Sequence, residues 1–206
     1  TVGKGNYLVF LTADHAGAEN SEFLKDNKYN VTNVEYKEMK PLLEKFTTAT
    51  FGENLILSYG SSNVYFDKVK LKNKNLELST VKKAVADYLM TLPQIRRVYT
   101  EEEILHNAGS DYYLNAIARG YDVTQNGDLV FQFKPGIIEY GKTGTTHGST
   151  FTYDTHVPLL FYGWKIKKGE SHDKKVITQI APTLAQKLKI SLPNGTEAEV
   201  LSEILP

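Results

Sequence analysis

Hydrophobic and polar positions divide the chain into short segments of changing period. Tyr7-Leu8-Val9-Phe10-Leu11-Thr12 is nearly continuous in apolar side chains and runs into Ala13-Asp14-His15. This predicts a buried strand whose C-terminal end carries polar groups, and ligands of α/β sheets gather just outside such ends. Residues 17–34, rich in Gly, Asn, Asp and Lys, predict a loop. Met39, Leu42, Leu43 and Phe46 share one helical face, which predicts a helix over 37–50. Pro41 then falls in the first turn, where a missing N–H is harmless. Leu55–Tyr59 predicts a strand, and the alternation of Val64, Phe66, Val69 and Leu71 a second one reaching residue 71. Ser79 is the expected N-cap of a helix through Met90, closed by Pro93.

Farther on, Ile95–Tyr99 predicts a strand and Thr100 with Glu103 a capping box. A helix over Tyr112–Arg119 should end at Gly120. Asn126-Gly127 signals a turn before the strand Leu129–Phe133, and Ile137–Tyr140 continues the sheet. Residues 141–156 lack periodicity and form a loop long enough to suspect function. Val157–Tyr162 predicts a strand and Ile177–Leu188 a helix with Pro182 in its first turn. No linker, repeat or low-complexity tract divides the chain, which reads as one unit over residues 1–206.

Composition narrows the function classes. The 206 residues carry 24 Lys plus Arg and 24 Asp plus Glu, a formal net charge of zero. Such balance argues against a broad electrostatic grip on nucleic acid or anionic lipid. No apolar run approaches a membrane span. There is no Cys, so disulfides and thiolate metal sites are impossible, and a metal would need His, Asp or Glu.

Among the motifs, residues 136–143 (Gly-Ile-Ile-Glu-Tyr-Gly-Lys-Thr) match the phosphate-binding loop pattern of nucleoside triphosphatases. Their β-branched and aromatic interior favours extended chain, and Gly144-Thr145-Thr146-His147-Gly148 is a poor helix start. A strand followed by a loop is expected instead. Asp14-His15 at a strand end offers a hard oxygen and a borderline nitrogen, suited to zinc. His147, beside Gly in a polar loop, is a second candidate donor. His156 reads as a packing or supporting residue, and His106 and His172 as surface residues. Asn30-Val31-Thr32 and Asn194-Gly195-Thr196 match the N-glycosylation acceptor pattern.

In order, these pieces resemble one family. Leu11-Thr12-Ala13-Asp14-His15 after an apolar strand is similar to the Asp-His zinc motif of the alkaline phosphatase superfamily. Thr146-His147-Gly148-Ser149, followed by Tyr153-Asp154-Thr155-His156-Val157-Pro158-Leu159-Leu160-Phe161-Tyr162-Gly163, resembles its last His motif and the strand after it. Gly127–Val130 with Lys134-Pro135-Gly136 is similar to the strand and turn before that motif. Residues 177–184 and Leu192-Pro193-Asn194-Gly195 resemble the closing helix and tail. The branch resembled is the periplasmic, threonine-nucleophile bacterial enzymes.

The resemblance implies an α/β fold with a mixed, largely parallel sheet flanked by helices. It implies a phosphate ester substrate, two zinc ions, a covalent phospho-enzyme, and a periplasmic or secreted location. Asp14 and His15 would bind the zinc that holds the nucleophile, and His147 the other. The family pattern also has an earlier Asp, a Thr or Ser nucleophile and an Asp-x-x-x-His pair, none of which is matched here, and Ala16 stands where Gly is usual. The chain is therefore expected to be the C-terminal portion of a larger phosphatase, inactive alone, and to self-associate through surface exposed by truncation. A phosphodiesterase or nucleotide pyrophosphatase of the same superfamily, or a non-catalytic binding domain keeping the fold, are the competing expectations.

Overall fold

The computed structural model describes residues 2–3, 5–31, 34–35, 37–106, 109, 111–141 and 143–205. In chain order its elements are β1 (Leu8–Leu11), α1 (Ser21–Asp26), α2 (Met39–Phe51), β2 (Ile56–Gly60), β3 (Asn63–Phe66), α3 (Lys68–Asn73), α4 (Leu78–Thr91), β4 (Ile95–Thr100), α5 (Glu101–His106), α6 (Tyr112–Arg119), β5 (Leu129–Phe133), α7 (Thr152–Thr155), β6 (Leu160–Gly163) and α8 (Ile180–Leu188). Single 3-10 turns precede α8 and follow it at Ser202–Ile204. No helix among the described residues is long and apolar enough to cross a membrane.

The chain forms two compact units, Thr1–Asp14 with Val157–Pro206, and His15–His156. No linker marks the division in sequence: one boundary falls inside Asp14-His15 and the other between His156 and Val157, at the start of the stretch leading into β6.

In the first unit β1 and β6 form an antiparallel ribbon, Leu8 opposite Gly163 and Leu11 opposite Leu160. Gly163 has φ +107°, and a Cβ there would lie 2.2 Å from the Tyr7 carbonyl oxygen. That carbonyl accepts the Trp164 N–H at 2.7 Å, so the ribbon closes only over a glycine. Val9, Phe10, Leu11, Leu160 and Tyr162 are exposed, whereas the apolar run had predicted a buried strand. Behind the ribbon α8 buries Lys187, whose ammonium donates to the carbonyls of Lys165 at 3.1 Å and Ile204 at 2.7 Å. Thr183 Oγ1 accepts the Leu201 N–H at 2.8 Å and fixes the tail on α8. Pro182 lies in the first turn of α8, as its spacing predicts.

The second unit is a four-stranded sheet in the order β2-β3-β5-β4. Side chains of a strand alternate between its faces, and β5 shows this directly. Leu129 and Phe131 join Met39 and Leu43 of α2 and Val81, Val85 and Leu89 of α4 in the main core. Val130 joins Tyr99, Ile104 of α5 and Leu114 of α6 on the opposite face. Each fully buried large apolar side chain contributes about 1.5–3 kcal/mol. Helices thus cover both faces, the α/β arrangement that the sequence pattern predicts.

Strand direction differs from expectation. The sheet is not largely parallel: every ladder between the described strands is antiparallel, and an isolated Val34–Glu139 bridge is parallel. For β2 and β3 the cause is connection length. Only Ser61 and Ser62, at φ +47° and +61°, join β2 to β3, a two-residue hairpin that can serve only antiparallel neighbours.

Two local expectations also shift. The alternation through Leu71 breaks at Phe66, because the Asp67 carboxylate accepts the N–H groups of Val69 and Lys70 and starts α3. Ser79 lies inside α4, whose N-cap is Glu77. By contrast, the Thr100–Glu103 capping box forms reciprocally, at 3.0 and 3.2 Å, and α6 ends at Gly120.

Candidate metal centre

Two segments of the second unit run side by side and bring the histidines together. Asn20 Nδ2 donates to the Gly144 carbonyl at 2.6 Å. Thr145 Oγ1 donates to the Ala18 carbonyl, and the Ala18 N–H donates to the Thr146 carbonyl at 3.1 Å. The Ala16 N–H then donates to the Asp154 carbonyl at 2.8 Å. This zipper sets His15 against His147 with ring centroids 3.4 Å apart and planes 14° from parallel. Both rings are solvent-exposed. His15 Nδ1 lies 2.6 Å from the Ala16 carbonyl.

The segment after His147 is anchored deeper. Gly148 has φ +116°, a conformation that an L side chain rarely adopts. The Ser149 N–H donates to the buried Asp154 carboxylate at 2.7 Å. Thr150 Oγ1 accepts from Gln132 Nε2 on β5 at 2.7 Å, and the Gln132 carbonyl oxygen accepts from Arg96 at 2.7 Å. Phe151 is buried. The mobile-looking composition of residues 145–151 therefore conceals a loop tied to a central strand.

Beneath it lies a cavity of about 360 Å³, lined by His147, Gln132, Glu139, Thr150, Tyr153 and Asp154 among others. Two carboxylate oxygens, Glu139 Oε1 and Asp154 Oδ1, are buried without a hydrogen-bond partner among the described residues. The other Glu139 oxygen accepts from the Tyr59 hydroxyl at 2.8 Å. Burial pushes the Glu139 carboxyl above its ordinary 4.5, against the opposing pull of the Tyr59 hydrogen bond. A carboxyl whose pKa is raised by folding contributes stability that is full below the unfolded value and lost as pH rises through the folded one. Glu139→Gln removes that loss. The variant's melting temperature relative to the parent should rise on going from acid to neutral pH, and an unchanged difference across that range would refute the assignment.

Asp14 belongs to the first unit, is exposed and lies three residues beyond the end of β1. The donors fit zinc in kind: a carboxylate and two imidazoles, with no thiolate to compete. They fall short in number. Among the described residues no three His, Asp or Glu side chains gather as a metal-binding group, and stacked imidazoles keep their in-plane lone pairs in two separate, near-parallel planes.

The remaining motifs are placed plainly. His156 is exposed at the C-cap of α7 rather than packed. His106 and His172 are surface residues, Nδ1 of His106 lying 2.9 Å from the Glu102 carbonyl. Lys142 of the phosphate-loop pattern lies outside the described residues, as does Thr32 of the first glycosylation pattern, and residues 136–141 form no helix. Asn194 of the second pattern is exposed. Ala16, in place of the usual Gly, needs no left-handed backbone, since it is not among the positive-φ residues.

No protein-family model matches the chain. Alkaline phosphatase PafA of Elizabethkingia meningoseptica is 36% identical over an alignment of 206 positions that covers 99% of this chain and 38% of PafA. The crystal structure of wild-type PafA matches with a TM-score of 0.90 over 99% of this chain and 39% of that one. The chain is homologous to the alkaline phosphatases.

Alkaline phosphatase PhoV of Synechococcus elongatus is 28% identical, over 100% of this chain and 37% of PhoV. A calcium-transporting ATPase of Myroides odoratus is also similar, at 31% identity over 99% of this chain and 38% of its own length. The chain thus spans less than two fifths of these relatives. The sequence singles out both histidines as candidate donors and gives no role to Asp154, Glu139 or Gln132, although Glu139 and Gln132 are a carboxylate and an amide inside otherwise apolar stretches.

Proposed function

We propose that this chain is the C-terminal portion of a two-zinc phosphomonoester hydrolase of the alkaline phosphatase superfamily, acting in the periplasm or outside the cell through a covalent phospho-enzyme. The observation that carries the reading is the contact between His15 and His147, two motifs far apart in sequence, in a chain homologous to alkaline phosphatases.

In this reading Asp14 and His15 supply donors to the zinc that holds the nucleophile, and His147 supplies a donor to the other. Zinc, when bound, clamps the attacking and leaving oxygens of an in-line displacement. This chain's own part is positional. The zipper between residues 16–20 and 144–147 holds the two imidazoles at one place, and the Gln132–Thr150 bond keeps their loop from swinging away. The further donors and the nucleophile come from outside residues 1–206. The exposed apolar side chains of the β1–β6 ribbon support self-association of the isolated chain.

The test compares the 206-residue chain with a longer polypeptide that contains it, both titrated with zinc and assayed on a chromogenic phosphate ester. Hydrolysis is expected from the longer polypeptide alone. Turnover by the 206-residue chain at the rate of the longer one, or none by a zinc-loaded longer one, would overturn the reading.

A further inference from the structure

We propose that Asp154 is the positioning residue of the histidine pair, holding the backbone beside His147 with its carboxylate and the backbone beside His15 with its carbonyl. The role matters for catalysis only if the two histidines act together as proposed above.

The geometry is specific. Asp154 is 5% exposed. Its Oδ2 accepts the N–H of Ser149, two residues after His147, at 2.7 Å. Its main-chain oxygen accepts the N–H of Ala16, one residue after His15, at 2.8 Å. One residue therefore grips both segments within two positions of the stacked rings.

Local sequence explains why it can. α7 is a single four-residue turn. Four positions beyond Asp154 stands Pro158, which has no N–H to return to that carbonyl, so the oxygen is free to leave the helix pattern and take Ala16. The carboxylate is held near the loop because the N-cap of α7 is the buried Phe151, whose carbonyl accepts the Asp154 N–H at 2.9 Å. Burying a carboxylate whose Oδ1 has no hydrogen-bond partner among the described residues is costly. A side chain kept there at that cost, with its other oxygen on the histidine loop, fits a residue whose work is to fix donor geometry. Groups that orient a ligand from behind are needed for the ligand to act.

The test is NMR of the metal-free 206-residue chain with labelled histidines. The parent should show NOEs between the His15 and His147 rings and ring-current shifts in both. Asp154→Ala should lose these while amide signals of β3, β4 and β5 stay in place. Asp154→Asn should keep them, since its carbonyl oxygen still accepts from Ser149. Should Asp154→Ala not fold, Asp154→Glu retains the charge but moves the oxygen by one methylene, and should weaken the cross-ring NOEs. Intact NOEs in folded Asp154→Ala or Asp154→Glu would overturn the proposal, as would their loss in Asp154→Asn. Because no zinc enters, loss of the stack in a chain whose longer form proves inactive supports Asp154 and sinks the phosphatase reading. An intact stack in an active enzyme does the reverse.

Discussion

Gly163→Ala should abolish the β1–β6 ribbon. The new Cβ would lie 2.2 Å from the Tyr7 carbonyl oxygen, well inside contact distance. The carbonyl cannot retreat without breaking its 2.7 Å hydrogen bond from the Trp164 N–H. The backbone cannot relax either, because φ +107° is a conformation that alanine resists. The ribbon is the sole ladder among the described residues of its unit, so its loss leaves α8 and the tail with no sheet beside them. Destabilisation of about 4 kcal/mol or more is expected, in the range reserved for such mechanisms. The protein carries one Trp, and Trp164 adjoins the altered residue. Its fluorescence therefore reports this unit, while far-UV circular dichroism is dominated by the helices of the other. In Gly163→Ala the fluorescence transition should move to much lower denaturant than the circular dichroism transition. Coincident, unshifted transitions would contradict the clash.

His147→Ala should leave the fold alone and remove the activity proposed for the longer polypeptide. The side chain is exposed and outside both apolar cores, so stability should change by no more than about 0.5 kcal/mol. Removing groups that merely support a metal ligand already costs about 10–100-fold. Loss of a proposed ligand should exceed about 100-fold in kcat/KM, with weaker zinc retention on dialysis. His106→Ala, an exposed histidine on α5, is the matched control and should do neither. Full activity and zinc content in His147→Ala would remove this residue from the site.

Legibility in the sequence followed the range of the interaction. The Thr100–Glu103 box, α6 and the place of Pro182 were readable because each is decided within one or two helical turns. Asp67 shows a local competition decided the other way. Its carboxylate caps α3, although Val69 and Leu71 beyond it still suggest a strand. The direction of the sheet was not readable, since it depends on which of several apolar segments flank β5. The two histidines stood out as donors in an order resembling one family. That they touch depends on the bonds of Ala16, Ala18 and Asn20 across the sequence, and no periodicity announces such pairings. Asp154 stayed hidden for the same reason: its burial comes from tertiary structure, and a Tyr-Asp-Thr stretch reads as surface.

The bond between Ala16 and Asp154 also has a kinetic consequence. The second unit is inserted between the two halves of the first. Pairing β1 with β6 before that insert folds means closing a loop over residues 12–159, at an entropic cost that grows with loop length. Once the Ala16–Asp154 bond has joined the insert's two ends at 2.8 Å, the loop to be closed shrinks to residues 12–15 and 155–159. The ribbon is therefore the late event in folding, and its substitutions should act on the unfolding rate more than on the folding rate.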